Sequence, residues 1–535
     1  MISQNSPHIF KRYVPEWLKY TAIMLTLIPS ILVFGAATMG VPQAMGYYGI
    51  SSSDVQFGML VFYATMVSFG PVAQHFFARI PAKTYLWISV IGELGTLYGC
   101  YYVRNLEVML VIRVISAVFN AGINNVCLDL LFRKLKSEYT REIGYASFYT
   151  LILCVGGLCS FFGSFEYDEQ SMNHFYKFVM FGLLPGTFLL TIILNNVRLI
   201  PFKLMRISRM GWVDCFLLGT SMGAAGYFLV YGQEYNWLDD VRIRWAIAVF
   251  MSLGLCAFLR LRYRQEPFLN LAVFRSPNFR LGLLLLVILY FIRGAFNITS
   301  GYISSILEVP YRQSAKLMLL NAGGSVLGSI VSTIMVIRKV HMRIIWLLGF
   351  LILLIFYGTM SFRFNINASV YDYELLLVLQ GLGQGMLMNP IIVFYLSAVP
   401  QEIANSATGF GIMTRFLSFS GSIALIDNLQ LRFSRLHQEL INNDLNAANT
   451  QYTDYLRNTS AMLKSRGVLP DKAGGMAFAL MKKIMGKEAY VEFAMNYYQW
   501  ICVLILLAIF IIMCVPAINR TIINLQEKRP WGAGF

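Results

Sequence analysis

The sequence predicts an all-α polytopic membrane protein of fourteen transmembrane helices, and three observations predict it. Hydrophobic residues make up 57% of the 535 positions and charged residues only 13%, too little charge for a soluble chain of this length. Apolar runs of about 20 residues, the length that a roughly 30 Å hydrocarbon core requires, recur from end to end. Lysine and arginine collect in alternate loops, as they do when alternate loops face the cytoplasm.

The first six spans are read at 19–41, 55–78, 84–103, 108–131, 143–165 and 175–195. The first opens near Lys19 without a small-residue cleavage site, so it reads as a retained span and not as a signal peptide. A pair follows at 211–232 and 243–261, then six more at 281–303, 314–337, 343–362, 374–396, 406–428 and 497–516. An even number puts both termini on one side. Segments on that side carry 24 Lys/Arg, against six in the short loops opposite (Arg104, Arg242, Arg244, Arg312, Lys316, Arg363). The expectation is that both termini are cytoplasmic.

Internal similarity is faint. Span 4, "RVISAVFNAG", and span 12, "LQGLGQGMLMNP", each place small residues late, after a polar one. Span 2 ends in "FFARIPAK" and span 10 in "IRKVHMR", a basic turn in both. Two comparable halves around a central site are what secondary transporters use for alternating access. The expected organisation is a six-helix bundle over 1–200, an inserted pair with its loop over 201–280, and a second bundle over 281–535. Between spans 13 and 14 lies a long external segment, 429–496. Its Leu429, Leu431, Phe433, Leu436 and Leu440 suit an amphipathic helix continuing span 13 outward.

The net charge of +16 does not point to nucleic acid, because the basic residues sit in loops that meet anionic headgroups of membrane lipid. Eight cysteines fall within or beside spans without metal-type spacing and read as small buried hydrophobes; the five histidines are scattered. No metal site and no cofactor is expected. The absence of a G-x-x-x-x-G-K-[ST] loop leaves no phosphate cradle for ATP, so any active transport draws on an ion gradient. No constellation of residues suggests an enzyme.

Several stretches resemble a known family. "RMGWVDCFLLGTSMGAAGYFLVYGQEYNW" is similar to its span 7, with Asp214 near the start and Gly232 to Trp237 at the end. "EPFLNLAVFRSPNFR" is similar to the loop that follows span 8, and "GLGQGMLMNPIIVFYLSAVPQEIANSATGFGIMTRFLSFSGSIAL" to spans 12 and 13. On these residues the chain resembles the fourteen-span drug:proton antiporters of the major facilitator superfamily (EmrB/QacA-type). The resemblance implies a 6+2+6 helical fold that moves small molecules across a membrane by alternating access. Of that family's basic loop after span 2, Arg79 and Lys83 remain, as a cytoplasmic gating loop, while Gln74 and Ala78 replace a glycine and an aspartate. Of its span 5 motif, Gly156, Gly157 and Gly163 remain without the proline. Of its span 4 motif R-x-x-Q-G, Arg113 remains, with Ser116 and Ala117 replacing the last two positions. Val33 stands where the family carries an aspartate in span 1.

Arg113 lies about 8 Å inside span 4. Facing lipid, it would cost roughly 2.5–3.5 kcal/mol or more and cannot shed its charge, so it faces the protein interior. Glu93 is the only carboxylate well away from a span end, and with Arg113 and Asp214 it forms the set of proton-coupling candidates. By helical rise Glu93 and Arg113 differ in depth by about 6 Å, so two readings stand: a proton carrier, or a direct or water-bridged pair acting as structural glue. Arg293 and Arg415 are also intramembrane, and three arginines against one glutamate favour anionic or neutral amphipathic substrates. The residues expected to line a central cavity are Arg113, Asn120, Asn124, Asn125, Arg293, Asn297, Asn321, Gln380, Gln384, Asn389 and Arg415; each amide has helix–helix hydrogen bonding as an alternative role. "GTLYG", "GTSMG", "GSVLG" and "GLGQG" carry the small-x-x-x-small spacing of closely packed helices.

The leading expectation is a proton-driven exporter of small amphipathic compounds in a bacterial inner membrane. In a cell with an outer membrane, the resemblance implies a periplasmic adaptor and an outer-membrane channel as partners, with 429–496 as the contact. The alternatives are a proton-coupled uptake symporter on the same fold, or a scaffold or sensor that does not transport.

Overall fold

The computed structural model describes residues 9–11, 13–36, 41–134, 140–166, 174–197, 211–264, 267, 269–444 and 450–515. The basic loop 198–210 and the tail after 515, both counted above, lie outside these residues. The expected spans are present as helices: α1 (Glu16–Gly35), α3 (Ser52–Arg79), α4 (Ala82–Tyr102), α5 (Leu106–Lys134), α6 (Thr140–Glu166), α7 (His174–Ile193), α8 (Trp212–Tyr231), α9 (Val241–Tyr263), α10 (Pro277–Gly301), α11 (Tyr311–Ile337), α12 (Met342–Arg363), α13 (Glu374–Ser397), α14 (Ala404–Asp444) and α16 (Pro470–Cys514). Among the described residues thirteen are long and apolar enough to cross a membrane. The fourteenth, α4, is long enough at 21 residues, but its glutamate, glycines and tyrosines lower its hydropathy.

Two short elements were not expected. The first span was read to residue 41, yet α1 ends at Gly35 and a separate helix, α2 (Val41–Tyr48), follows. Pro42 at the second position of α2 starts that helix and cannot continue a preceding one. The second is α15 (Thr450–Ser465), which lies between α14 and α16.

The helices pack as two groups. In the first, α1, α3, α4, α5 and α7 share a core around Leu27, Val90, Ile123, Leu130 and Leu183. In the second, α10, α12, α13 and α16 share a core around Leu286, Trp346, Phe350, Leu387 and Tyr498. The groups meet along α6 against α11 and along α3 against α14. The pair α8–α9 flanks the second seam, with α8 on both α3 and α14. Helix α9 packs chiefly on α8 and leaves Trp245, Met251, Leu255 and Phe258 exposed, as a lipid-facing surface does.

The expected outward continuation of span 13 is present. Helix α14 has 41 residues and α16 has 45, about 60 and 68 Å at 1.5 Å per residue, so both outrun the bilayer. The bundle clasps this extension from the α10–α11 connection. Glu308 meets Lys483 at 2.8 Å and Lys487 at 3.1 Å, and Lys487 also donates to the Ile306 carbonyl at 2.8 Å. The two ammonium groups hold the Glu308 carboxyl below its ordinary value of 4.5. A depressed carboxylate contributes its stability above the unfolded value and loses it as pH falls through the lower folded value. Backbone protection factors around 483–490, with the intrinsic pH dependence of exchange divided out, are therefore expected to stay level near neutrality and to fall in wild type only once acid protonates this carboxylate, below its ordinary value. In Glu308→Gln the lower protection is present at every pH.

Candidate functional site

One large cavity, 530 Å³, lies between the two helix groups. It follows the α3–α14 seam, where the two helices run antiparallel. Gln74 faces Asn405 at one end, Tyr63 and Arg415 lie midway, and Met59 and Phe419 stand at the other end. At the Met59 end an apolar plug of Phe34, Met59, Phe419 and Ile423 packs together. Edge-on ring contacts of Tyr63 with Phe34 and Phe416 tie both groups together there. In the other direction the cavity runs to Gln74, Gly211, Arg264, Pro267 and Asn405, at the end that carries the basic α3–α4 and α11–α12 turns.

The α6–α11 seam is held by close backbone approach. A Cβ on Gly157 would lie 2.5 Å from the Met318 carbonyl, so only glycine fits there without moving α11. Thr150 donates to Ser329 at 2.5 Å, and the Cys154 thiol faces the Ala322 carbonyl at 3.4 Å. Gly156, one residue from the contact, borders the cavity, and Gly163 is buried farther along α6.

Of the residues expected in the cavity, Asn120, Asn124, Asn125, Arg293, Asn297, Asn321, Gln384 and Arg415 line it. Three do not. Gln380 is fully buried and accepts from Asn321, tying α13 to α11. Asn389 donates to Thr333 and to the Glu142 carbonyl, a three-helix tie among α13, α11 and α6. Arg113 faces away, into a cavity of 30 Å³ that it shares with Asp54, Tyr48 and Tyr176 beyond the plugged end. Its side chain is 1% exposed, donates to the Val33 carbonyl at 2.9 Å and lies 4.7 Å from the centre of the Phe62 ring.

No direct pair joins Arg113 to Glu93. Glu93 is fully buried between α4 and α5; one carboxyl oxygen accepts from Ser116 at 2.9 Å and the other has no partner. Asn120, one turn beyond Ser116 on α5, lies near the same carboxyl. Arg113, Ser116, Asn120 and Asn124 recur at helical spacing, so they form one stripe along α5. The stripe joins the small cavity, the buried carboxyl and the central cavity. Asn120 also donates to Ser30 of α1, and Asn124 donates to Asn120 at 2.7 Å.

Asp214 is bound on both oxygens, to Arg260 and Arg264 at 2.6 Å each. It ties α8 to α9 at the basic end. Arg79 and Lys83 flank the short α3–α4 turn at the same end, both half-buried.

One polar residue escaped the sequence reading. Asp427 sits mid-way along α14, half-buried, with Gln56 of α3 and Tyr490 of α16 close to its carboxyl. It bridges the two groups beyond the apolar plug. The sequence pattern ends span 13 at 428, which puts this carboxylate at a helix end.

The family model of the Major Facilitator Superfamily matches residues 23–423. The chain belongs to that superfamily. Within the major facilitators, a curated relative is the colistin resistance protein EmrB of Acinetobacter baumannii, 21% identical over 266 residues. That match spans about half of each chain, 50% of this one and 51% of the relative. Among solved structures, the peptide transporter POT in complex with sulfate superimposes with a TM-score of 0.58 at 11% identity, covering 96% of both chains. A bacterial homologue of the human lysosomal transporter Spinster, inward-facing and unoccupied, gives 0.54 at 13% identity, covering 96% of this chain and 99% of its own. At such identities the superpositions speak for the fold alone.

Proposed function

We propose that this major facilitator is a secondary active transporter that exports small amphipathic compounds across a bacterial inner membrane in exchange for protons. The observation that carries the reading is the 530 Å³ cavity between two helix groups, plugged at one end by Phe34, Met59, Phe419 and Ile423 and running to the basic end at the other. A site reachable from one side at a time is what alternating access requires. With the basic loops and both termini in the cytoplasm, this cavity faces inward, ready to load. The bundles over 1–200 and 281–535 would rock about it, with the 201–280 pair riding on the α3–α14 seam.

In this reading Glu93 carries the proton, and the α5 stripe links its protonation to the cavity through Asn120. The carboxyl is neutral with a proton and an unpaired buried charge without one, so its protonation and its hydrogen bonds change together. The projecting part of α14–α16 is the surface offered to a periplasmic adaptor. The test uses protein in proteoliposomes with an imposed pH gradient, and ligands chosen because they raise its melting temperature. Export by exchange moves ligand against the direction of proton flow. Co-directional movement establishes the symporter instead, and no flux for any stabilising ligand establishes the non-transporting reading.

A further inference from the structure

We propose that the central cavity is a binding site for amphipathic organic anions, in which an aromatic or aliphatic carboxylate is held between Arg293 and Arg415. The proposal deepens the transporter reading and rests on it for the cavity's role. Three charged side chains border the cavity among the described residues, and all three are arginines. Arg264, at the basic mouth, already has its counter-charge in Asp214 at 2.6 Å. The other two have none. Arg293 donates to the Ile152 carbonyl at 3.2 Å and lies 5.7 Å from the Tyr290 ring. Arg415 is 4% exposed, donates to the Gly411 carbonyl at 3.3 Å and lies 4.9 Å from the Tyr149 ring.

A guanidinium keeps its charge at any relevant pH, and a buried charge without a counter-charge is costly. Carbonyls and ring faces offset part of that cost, yet they leave two like charges facing one chamber. A bound anion offsets the rest, and the planar guanidinium fork matches a carboxylate in shape. A cationic ligand would add a third like charge and meet no carboxylate among the described lining residues. The walls fix the remainder of the ligand. Tyr63, Tyr149, Tyr290, Phe148, Phe296 and Phe419 offer ring faces, suited to a flat apolar body, and the volume fits a small organic molecule. Both bundles contribute, because Tyr149 is on α6 while the two arginines are on α10 and α14.

Binding to purified full-length protein by isothermal titration tests this with three probes of one shape: 1-naphthylacetate, 1-naphthylacetamide and 1-naphthylmethylammonium. The carboxylate is expected to bind at least about tenfold more tightly than the amide, as a charge-assisted contact should, and the ammonium not at all. Arg415→Gln and Arg293→Gln each weaken the carboxylate about 10- to 100-fold and leave the amide unchanged, while Arg293→Lys retains most of the binding. Excess sodium sulfate that displaces naphthylacetate from wild type but not from Arg415→Gln marks the same anion site without the apolar body. Failure of naphthylacetate to bind, or equal binding of carboxylate and amide by wild type, overturns the proposal with no variant needed. The assay uses no gradient, so charge-selective binding without proton-linked flux sinks the export reading and leaves this site standing. Proton-linked flux of the ammonium does the reverse.

Discussion

Glu93→Gln is expected to abolish gradient-driven accumulation while leaving ligand binding within about a factor of two of wild type. The carboxyl is fully buried and lies outside the cavity lining, and an amide is uncharged like the protonated acid, so the contacts that hold a ligand are kept. Glutamine keeps the shape and can still accept from Ser116, which now holds one carboxyl oxygen at 2.9 Å. What it loses is the ability to bind and release a proton. Proteoliposomes loaded with ligand separate this from simple misfolding. Ligand-for-ligand counterflow needs no net proton movement and should persist in the variant, whereas uphill transport driven by a pH gradient should fall to that of protein-free liposomes. Unchanged proton-linked transport would remove Glu93 as the carrier and direct attention to Asp427, a half-buried carboxylate on α14 close to Gln56 of α3. Loss of both modes would make Glu93 a structural tie of α4 to α5.

The fold was legible because its signal is repetitive. Fourteen apolar runs and their alternating loop charges are averages over many residues, and averages survive one misplaced boundary. The site was legible in part. Asn120, Asn124, Arg293, Asn297, Asn321, Gln384 and Arg415 line the cavity as expected, since a polar residue in mid-span has few places to go other than an interior. Which interior is a question of helix rotation, which a single span does not reveal. Arg113 and Arg415 look alike in sequence, each an arginine in an apolar helix. Yet one turns to a small chamber shared with Asp54 and the other to the central cavity. Gln380 and Gln384 are one turn apart, and the first is spent on Asn321 while the second, its amide nitrogen unpartnered, reaches the cavity. Asp427 was lost to a boundary. The apolar stripe at Leu429, Phe433 and Leu436 already showed the helix continuing, and applied to span 13 it would have placed that aspartate well inside one.

Two adjacent glycines in α11 should respond in opposite ways to the same substitution. A Cβ on Gly324 would lie 2.2 Å from the Val378 carbonyl of α13, whereas one on Gly323 would meet nothing within 4 Å. The contact is reciprocal along both helices. A Cβ on Gly328 would lie 2.1 Å from the Leu382 carbonyl, one on Gly381 2.0 Å from the Asn321 carbonyl, and one on Gly385 2.2 Å from the Ser325 carbonyl. All four obstacles are backbone atoms, so no side-chain rotation relieves them and the helices must separate. Between helices in lipid there is no hydrophobic drive to restore the fit, because association depends on close packing and interhelical hydrogen bonds. Separation would also stretch the Asn321–Gln380 bond between the same two helices. Gly324→Ala is therefore expected to cost about 1–3 kcal/mol and lower the apparent melting temperature by roughly 1–3 °C, read by the thermal unfolding of detergent-purified protein. Gly323→Ala gains helix propensity with no clash and should match or exceed wild type. The same spacing in "GTLYG" does not mark such a seam, since Gly95 faces open space and Gly99 meets only the flexible end of Ile112 at 3.2 Å. A loss at Gly323 equal to that at Gly324 would mean that the α11–α13 approach is not the one described. It would also detach the rigidity of this half from its glycines, and with it the firm wall that a rocking bundle needs on the cavity side of α11.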